Sequence, residues 1–383
     1  MTPPTLKLMI PGPIQPEDDV LRAMGSPVQP HYGPEWIRIH NDTLEMLRRV
    51  YGTSGDTFVL VGSGSSALDA CLGSALSTGE QIVIGVNGWF GERLTAIAQS
   101  YGLEVIPVSA PWGDTLDPAD FDLAFREHPQ ARLAAVVHLE TSTTIVNPIE
   151  AIGRVAMQHG RVLMVDAVSS LGGIPLRMDE WGIGLCASAS QKCLGAPPGL
   201  ATVAVSPAAW SLIDRAPDKN HGWYLNLRVW RQYATDWAAW HPFPITMATN
   251  NVLALRAGLQ GLLTEGIDAR MERYRALALR LRQGLRRIGM TPYTPDDRMA
   301  PVLTAAYGPP GVRTSEIVSY MAEVHHTKIA GGLGDQLVDK IIRIGHMSPS
   351  VRQSDIDEVV QQLAGFTPEW RRAEPPATAG RNA

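Results

Sequence analysis

Short apolar runs alternate with segments of helical spacing through the first half of this chain, and that alternation restricts the fold more than any single residue does. Thr57-Phe58-Val59-Leu60-Val61 leads into a Gly-Ser turn and a helical stretch from Ala67 to Leu76. Further apolar runs span residues 81–85, 103–107, 133–137, 162–165 and 200–205. Strands separated by helices have no tight turn to join them as hairpins, so they lie mostly parallel, with helices covering both faces of the sheet. Ahead of them, Trp36, Ile39, Leu44, Leu47 and Val50 recur at helical spacing between Trp36 and Tyr51. The expected fold is α/β: a mostly parallel sheet in a large domain, followed by a smaller C-terminal α+β domain.

The boundaries follow from composition and periodicity. Residues 1–34 read as an irregular, Pro-rich arm, and 35–250 as the large domain. Residues 251–366 form the smaller domain, opening on a strongly helical pattern from Asn250 to Leu285 with Arg-rich faces. Residues 367–383, rich in Pro, Ala and charge, are expected to be disordered. A length of 383 residues with 45% apolar side chains supports two packed domains. Only 19% of residues are charged, which suits a compact enzyme with a large dimer interface. The net charge of −5, with no basic tract, argues against nucleic-acid binding. Cys71, Cys186 and Cys193 show no metal spacing, and their odd number argues against a disulfide framework. No run is long enough to span a membrane, and residues 1–13 do not read as a signal peptide, so a cytosolic enzyme is expected. Trp223, Trp230, Trp237 and Trp240 stand among polar residues, which suits either a helix packed on the core or a dimer or substrate rim.

Lys192 carries the strongest chemical signal. It sits among small, apolar and Pro-Gly residues in Ala189-Ser190-Gln191-Lys192-Cys193-Leu194-Gly195-Ala196-Pro197-Pro198-Gly199. A partly desolvated amine loses its proton more readily and can form a Schiff base. Asp166 closes the apolar run 162–165, at the C-terminal end of an expected parallel strand, where such sheets bind ligands. The same position also suits a helix N-cap. An acid facing a pyridinium nitrogen and an amine facing an aldehyde are what pyridoxal 5′-phosphate (PLP) chemistry requires. Gly62-Ser63-Gly64-Ser65-Ser66 opens a helix, presenting free N–H groups to a phosphate or serving as a plain helix start. Phe90, in the Asn87–Gly91 run after the next strand, offers an aromatic face. His138, Thr141 and Ser142 follow another strand and suit a ring oxygen, a phosphate or ordinary turn chemistry. Arg343 stands inside the apolar run Ile341-Ile342-Arg343-Ile344-Gly345, where a buried guanidinium must find an anion and its planar fork matches a carboxylate.

Taken together, Val165–Gly173 (VDAVSSLGG), Ser190–Gly199 (SQKCLGAPPG) and Arg343-Ile344-Gly345 resemble the class V, fold-type I, PLP-dependent aminotransferases, nearest the alanine–glyoxylate and serine–glyoxylate enzymes. Pro11-Gly12-Pro13 and Gly33-Pro34-Glu35-Trp36 fit as well, and the resemblance runs from about Leu8 to Leu363. It implies that Lys192 holds PLP and moves the proton, and that Asp166 keeps the pyridine nitrogen protonated. Gly64, Ser65 and Gln191 are then phosphate ligands, Thr141 contacts the ring oxygen and Phe90 stacks on the ring. Thr246 would reach the phosphate from the partner of a homodimer with shared sites. Arg343 would grip the substrate carboxylate, with Tyr32 at the substrate.

Phe243 stands where relatives often carry a tyrosine, so one phosphate hydroxyl is missing. Tyr32 follows His31 where serine–glyoxylate enzymes tend to carry an arginine, which leaves the donor open. Alanine or serine, with glyoxylate or pyruvate as acceptor, is the first expectation. Pyridoxamine, ureidoglycine and aminoethylphosphonate are alternative donors, and a PLP lyase of the cysteine desulfurase type is the alternative reaction.

Overall fold

In the computed structural model, residues 6–215 and 222–370 are described. A seven-stranded sheet runs, edge to edge, through Asp56–Val61, Leu200–Val205, Ile183–Ala189, Val162–Asp166, Leu133–Val137, Gln81–Val86 and Glu104–Ser109. Only Leu200–Val205 runs antiparallel to its neighbours. Leu133–Val137 and Ile183–Ala189 are buried along their whole length. Strands covered on both faces need no polar alternation, which is why they appear as continuous apolar runs. Ile183–Ala189 is absent from the sequence-level runs because Gly184, Ser188 and two alanines dilute its hydrophobicity.

The smaller domain is built on a three-stranded antiparallel sheet. Ile341–Gly345 is its central strand, paired to Leu303–Tyr307 and to Ala330–Gly331. Helices Ile267–Arg287, Thr314–His325 and Gln353–Ala364 contribute Leu281, Met321 and Val359 to its core.

Three boundaries shift. The helical pattern from Asn250 to Leu285 is two helices, Thr249–Glu265 and Ile267–Arg287, parted at Gly266 with φ of 90°. Val252, Leu255, Leu259 and Leu262 of the first belong to the larger core, whereas Tyr274, Leu277, Leu281 and Leu285 of the second belong to the smaller. We therefore place the change of core at Gly266 rather than at residue 250. The arm is more ordered than its prolines suggest. Lys7–Leu8 pairs with Thr327–Lys328, Met9 and Ile14 enter the smaller core, and the helix Asp18–Met24 sends Val20 into the larger one. In the C-terminal segment expected to be disordered, Trp370 packs on Tyr320 with ring centroids 5.4 Å apart. Residues 371–383 lie outside the described residues.

Candidate active site

The parallel strands end on one side of the sheet, and their following turns meet there. Lys192, Asp166, Phe90, Thr141, Gln191, Gly64 and Ser65 line a single cleft of about 280 Å³. They come from five strand ends or the turns just beyond them, with Gly64 and Ser65 sharing one turn and Gln191 and Lys192 another, as an open parallel sheet dictates. A cavity of about 320 Å³ beside His40 and Phe243 is more capacious but holds none of these residues.

Gly64 and Ser65 form the first turn of the helix Gly64–Ala75, so their amides belong to a helix N-terminus, where backbone N–H groups are left without helical partners. Gln191 lines the same cleft, and its buried side-chain oxygen has no hydrogen-bond partner.

Lys192 is largely withdrawn from water, and burial pulls its amine down to about 8, with Arg343 acting in the same direction. Near pH 7 such an amine is neutral in roughly one molecule in ten, against about one in several thousand for a solvated lysine. Its Nζ donates to the Pro11 carbonyl. Gly12 covers it so closely, at φ of 111°, that a Cβ there would fall 2.6 Å from Nζ. The start of the chain therefore forms one wall of the lysine's enclosure.

Asp166 is 6% exposed. Burial pushes its carboxyl up to about 6, while a hydrogen bond from Val168 N–H and the charges of Lys192 and Arg93 pull it down. That bond, 2.9 Å to Oδ1, fixes the carboxylate against the turn that follows its strand.

Arg343 approaches from the smaller domain. Its Nε donates to the Gly331 carbonyl at 2.8 Å and its Nη1 to the Thr141 carbonyl at 2.9 Å. These bonds use two of the five N–H groups an arginine carries. Burial lowers the guanidinium to about 10, and the Glu140 charge acts against that shift. Thr141 itself donates from Oγ1 to Ser169 Oγ at 2.8 Å.

The family model for aminotransferase class V matches residues 20–359. The chain belongs to the class V aminotransferases. It is 36% identical to an uncharacterized aminotransferase of Methanocaldococcus jannaschii, over 89% of this chain and 87% of that protein. It is 30% identical to the (S)-ureidoglycine–glyoxylate transaminase of Bacillus subtilis, over 92% of this chain and 88% of the relative. The crystal structure of an alanine–glyoxylate aminotransferase from Nostoc sp. superimposes with a TM-score of 0.90, at 31% identity, covering 95% of this chain and 96% of the other. The fold is therefore that of the fold-type I aminotransferases, and the reaction class is transfer of an amino group between amino and oxo acids.

Within one copy of this aminotransferase, three expected site residues do not line the cleft: Arg343 lies behind the Thr141 turn, and two others stand apart from it. Tyr32 is 50% exposed and packs on Trp240, with ring centroids 5.7 Å apart. Thr246 is exposed on the same loop system, which Gly33 joins by donating from its amide to the Trp240 carbonyl at 3.2 Å. Neither lines the cleft of its own chain.

Sequence reasoning missed others. Arg93 lines the cleft, one helical turn beyond Phe90, with its guanidinium 4.8 Å over that ring. The i, i+3 spacing was a usable signal once Trp89 is taken as the helix start. Ser169 was visible only as part of a motif, and Glu140 gave no signal. Of the tryptophans, Trp230 is core, 1% exposed, whereas Trp223, Trp237 and Trp240 remain about half exposed. The three cysteines are buried, and burial pushes the Cys193 thiol up to about 12. A thiol held that high is not the nucleophile a desulfurase needs. His346 is buried beside Thr304. No helix among the described residues is long and apolar enough to cross a membrane.

Proposed function

We propose that this aminotransferase uses PLP to move an amino group from a small amino acid, alanine or serine, to glyoxylate or pyruvate. The observation that carries this reading is that one half-closed cleft holds a desolvated amine and a desolvated carboxylate, Lys192 and Asp166, with the Arg343 guanidinium bonded to the cleft's Thr141 turn. The residues present fit the cofactor. The helix start at Gly64 and Ser65 suits a phosphate, with the Gln191 side chain lining the same cleft, Phe90 and Asp166 suit an aromatic nitrogen ring, and Lys192 suits its aldehyde.

When bound, PLP supplies an electron-withdrawing ring that acidifies the Cα–H of an attached amino acid. Asp166, anionic above about pH 6, would keep the ring nitrogen protonated. Lys192 in its neutral form would take and move the proton of Cα. Arg343 would hold the α-carboxylate, which would fix the Cα–H relative to Nζ. Thr141 and Ser169, with hydroxyl oxygens 2.8 Å apart, would offer a hydroxyl pair to the ring oxygen.

The active unit in this reading is a homodimer. Thr246 is exposed and lies outside its own cleft, so in this reading it reaches a phosphate in the other copy. The relatives named for alanine–glyoxylate and ureidoglycine–glyoxylate transamination make glyoxylate the first acceptor to try. A donor–acceptor screen that follows each half-reaction by cofactor absorbance tests the proposal. Alanine or serine is expected to convert the bound cofactor, and glyoxylate or pyruvate to restore it. Failure of every small α-amino acid to do so would end the reading.

A further inference from the structure

Glu140 is the most completely buried carboxylate near the cleft, at 0% exposed, yet it is not one of the residues lining it. A charge so placed costs several kcal/mol unless hydrogen bonds replace its water. Glu140 has them. Its Oε2 accepts from the amides of Phe90 and Gly91, each at 3.1 Å, and its Oε1 from the Ser142 amide at 3.0 Å. The Ser142 hydroxyl donates to Glu140 and accepts from the Trp89 amide at 3.0 Å.

Those amides belong to the first turn of the helix Trp89–Ser100, whose N-cap residue, Gly88, has no capping side chain. Glu140 and Ser142 together supply from across the fold the acceptors that a local cap would give, and the carboxylate sits at the positive end of the helix. A Cβ at Gly88 would fall 2.4 Å from Glu140 Cγ and Cδ, so this approach requires glycine.

The next residue reaches a second element. Thr141 presents its carbonyl to Arg343 Nη1 at 2.9 Å, and the Glu140 charge acts against Arg343's loss of solvation. One short segment thus accepts from the backbone of Phe90, on one wall of the cleft, and through the Thr141 carbonyl holds the guanidinium behind another.

We propose that Glu140 is a positioning residue that sets Phe90 and Arg343 relative to Lys192 before any ligand arrives. The assignment of Phe90 and Arg343 to ring and carboxylate rests on the function proposed above. The test compares the unaltered protein with Glu140→Gln, which keeps the shape but turns one acceptor into a donor facing the amides. In the protein without cofactor, hydrogen exchange at the Phe90 and Gly91 amides is expected to quicken about tenfold or more. In the PLP-loaded enzyme, KM for alanine is expected to rise about tenfold with kcat within about threefold, and the visible circular dichroism of the bound cofactor to change. Should Glu140→Gln not fold, Ser142→Ala carries the same test, with about threefold effects on exchange and KM.

Unchanged exchange overturns the proposal. Faster exchange with unchanged KM and dichroism also overturns it, because Glu140 is then a helix cap and nothing more. Absence of transamination in the unaltered protein would sink the proposed function instead, and the amide exchange together with the dichroism of bound PLP, neither of which needs turnover, would still decide the Glu140 claim.

Discussion

Asp166, at the base of the cleft, is 6% exposed, whereas Trp240, on the adjoining face, is 52% exposed. The two regions invert the usual arrangement in opposite senses. In the cleft, charged groups are held away from water, and burial drives the Lys192 amine and the Asp166 carboxyl toward their neutral forms. On the face, Tyr32, Trp237 and Trp240 present large rings to water. A buried charge is relieved by a small ligand of matching charge, and an exposed aromatic patch by another macromolecular surface. Under the function proposed above, the cofactor would complete the first region and a second copy of the chain the second.

The largest expected effect breaks the cleft side of that contrast. Lys192→Ala is expected to lower turnover by roughly 10⁴-fold or more and to abolish the visible absorbance of a lysine-bound cofactor. Normal transamination by this variant would show that the cleft is not the site. In the unaltered apoprotein, the rate of aldehyde attachment to Lys192 is expected to climb with pH and level off above about 8.

Asp166→Asn separates function from stability. Turnover is expected to fall about 10²- to 10³-fold, read by steady-state kinetics. The folded-state pKa of Asp166 is raised, from 3.8 to about 6, so the folded protein holds this proton more tightly than the unfolded chain does. The resulting penalty is absent below the unfolded value and complete above about 6. Removing the charge is then expected to stabilise the apoprotein by about 2–3 kcal/mol at neutral pH, and by almost nothing near pH 3.5. Denaturant titrations at the two pH values check this, and an equal change at both would remove desolvation as the cause.

Arg343→Ala sharpens the comparison within the cleft. A loss of about 100-fold in kcat/KM is expected for α-amino acids, but no more than about threefold for amines lacking a carboxylate. Equal losses would strip Arg343 of its part in carboxylate binding.

The smallest effects belong to the face. Thr246→Ala is expected to weaken cofactor binding only about fivefold, one hydrogen bond's worth. Trp240→Asp is expected to shift the dimer toward monomer in sedimentation and to lower activity at dilute protein concentration. A Trp240→Asp protein with unchanged assembly and activity would mean that some other surface, or none, covers these rings.

Much of the large domain was legible because parallel strands buried on both faces leave continuous apolar runs, and because chemistry gathers just beyond their ends. Asp166, Phe90 and Thr141 were read that way, and Lys192 from the small, apolar and Pro-Gly residues around it, each locally. Arg343 was legible for the opposite reason, as a charge in the middle of an apolar strand. Glu140 was not. It stands in a run of hydroxyl residues that reads as a turn, and its amide donors, Phe90 and Gly91, lie some fifty positions earlier in the chain. Pro11 and Gly12 were visible as a motif, but their contact with Lys192 joins residues 181 positions apart. The break at Gly266 was hidden because helical spacing continues on both sides of it.

By itself, the sequence determined the alternation of strand and helix, the family, and the residues able to carry amine, carboxylate and guanidinium chemistry. Periodicity and short motifs are local properties, set by neighbours a few positions away. Only the tertiary structure decided how far Lys192 and Asp166 are desolvated, which groups wall them in, and that the short segment of Glu140 and Thr141 joins the Phe90 helix to Arg343. Burial and long-range hydrogen bonds depend on which distant segments meet, and no local pattern records that meeting.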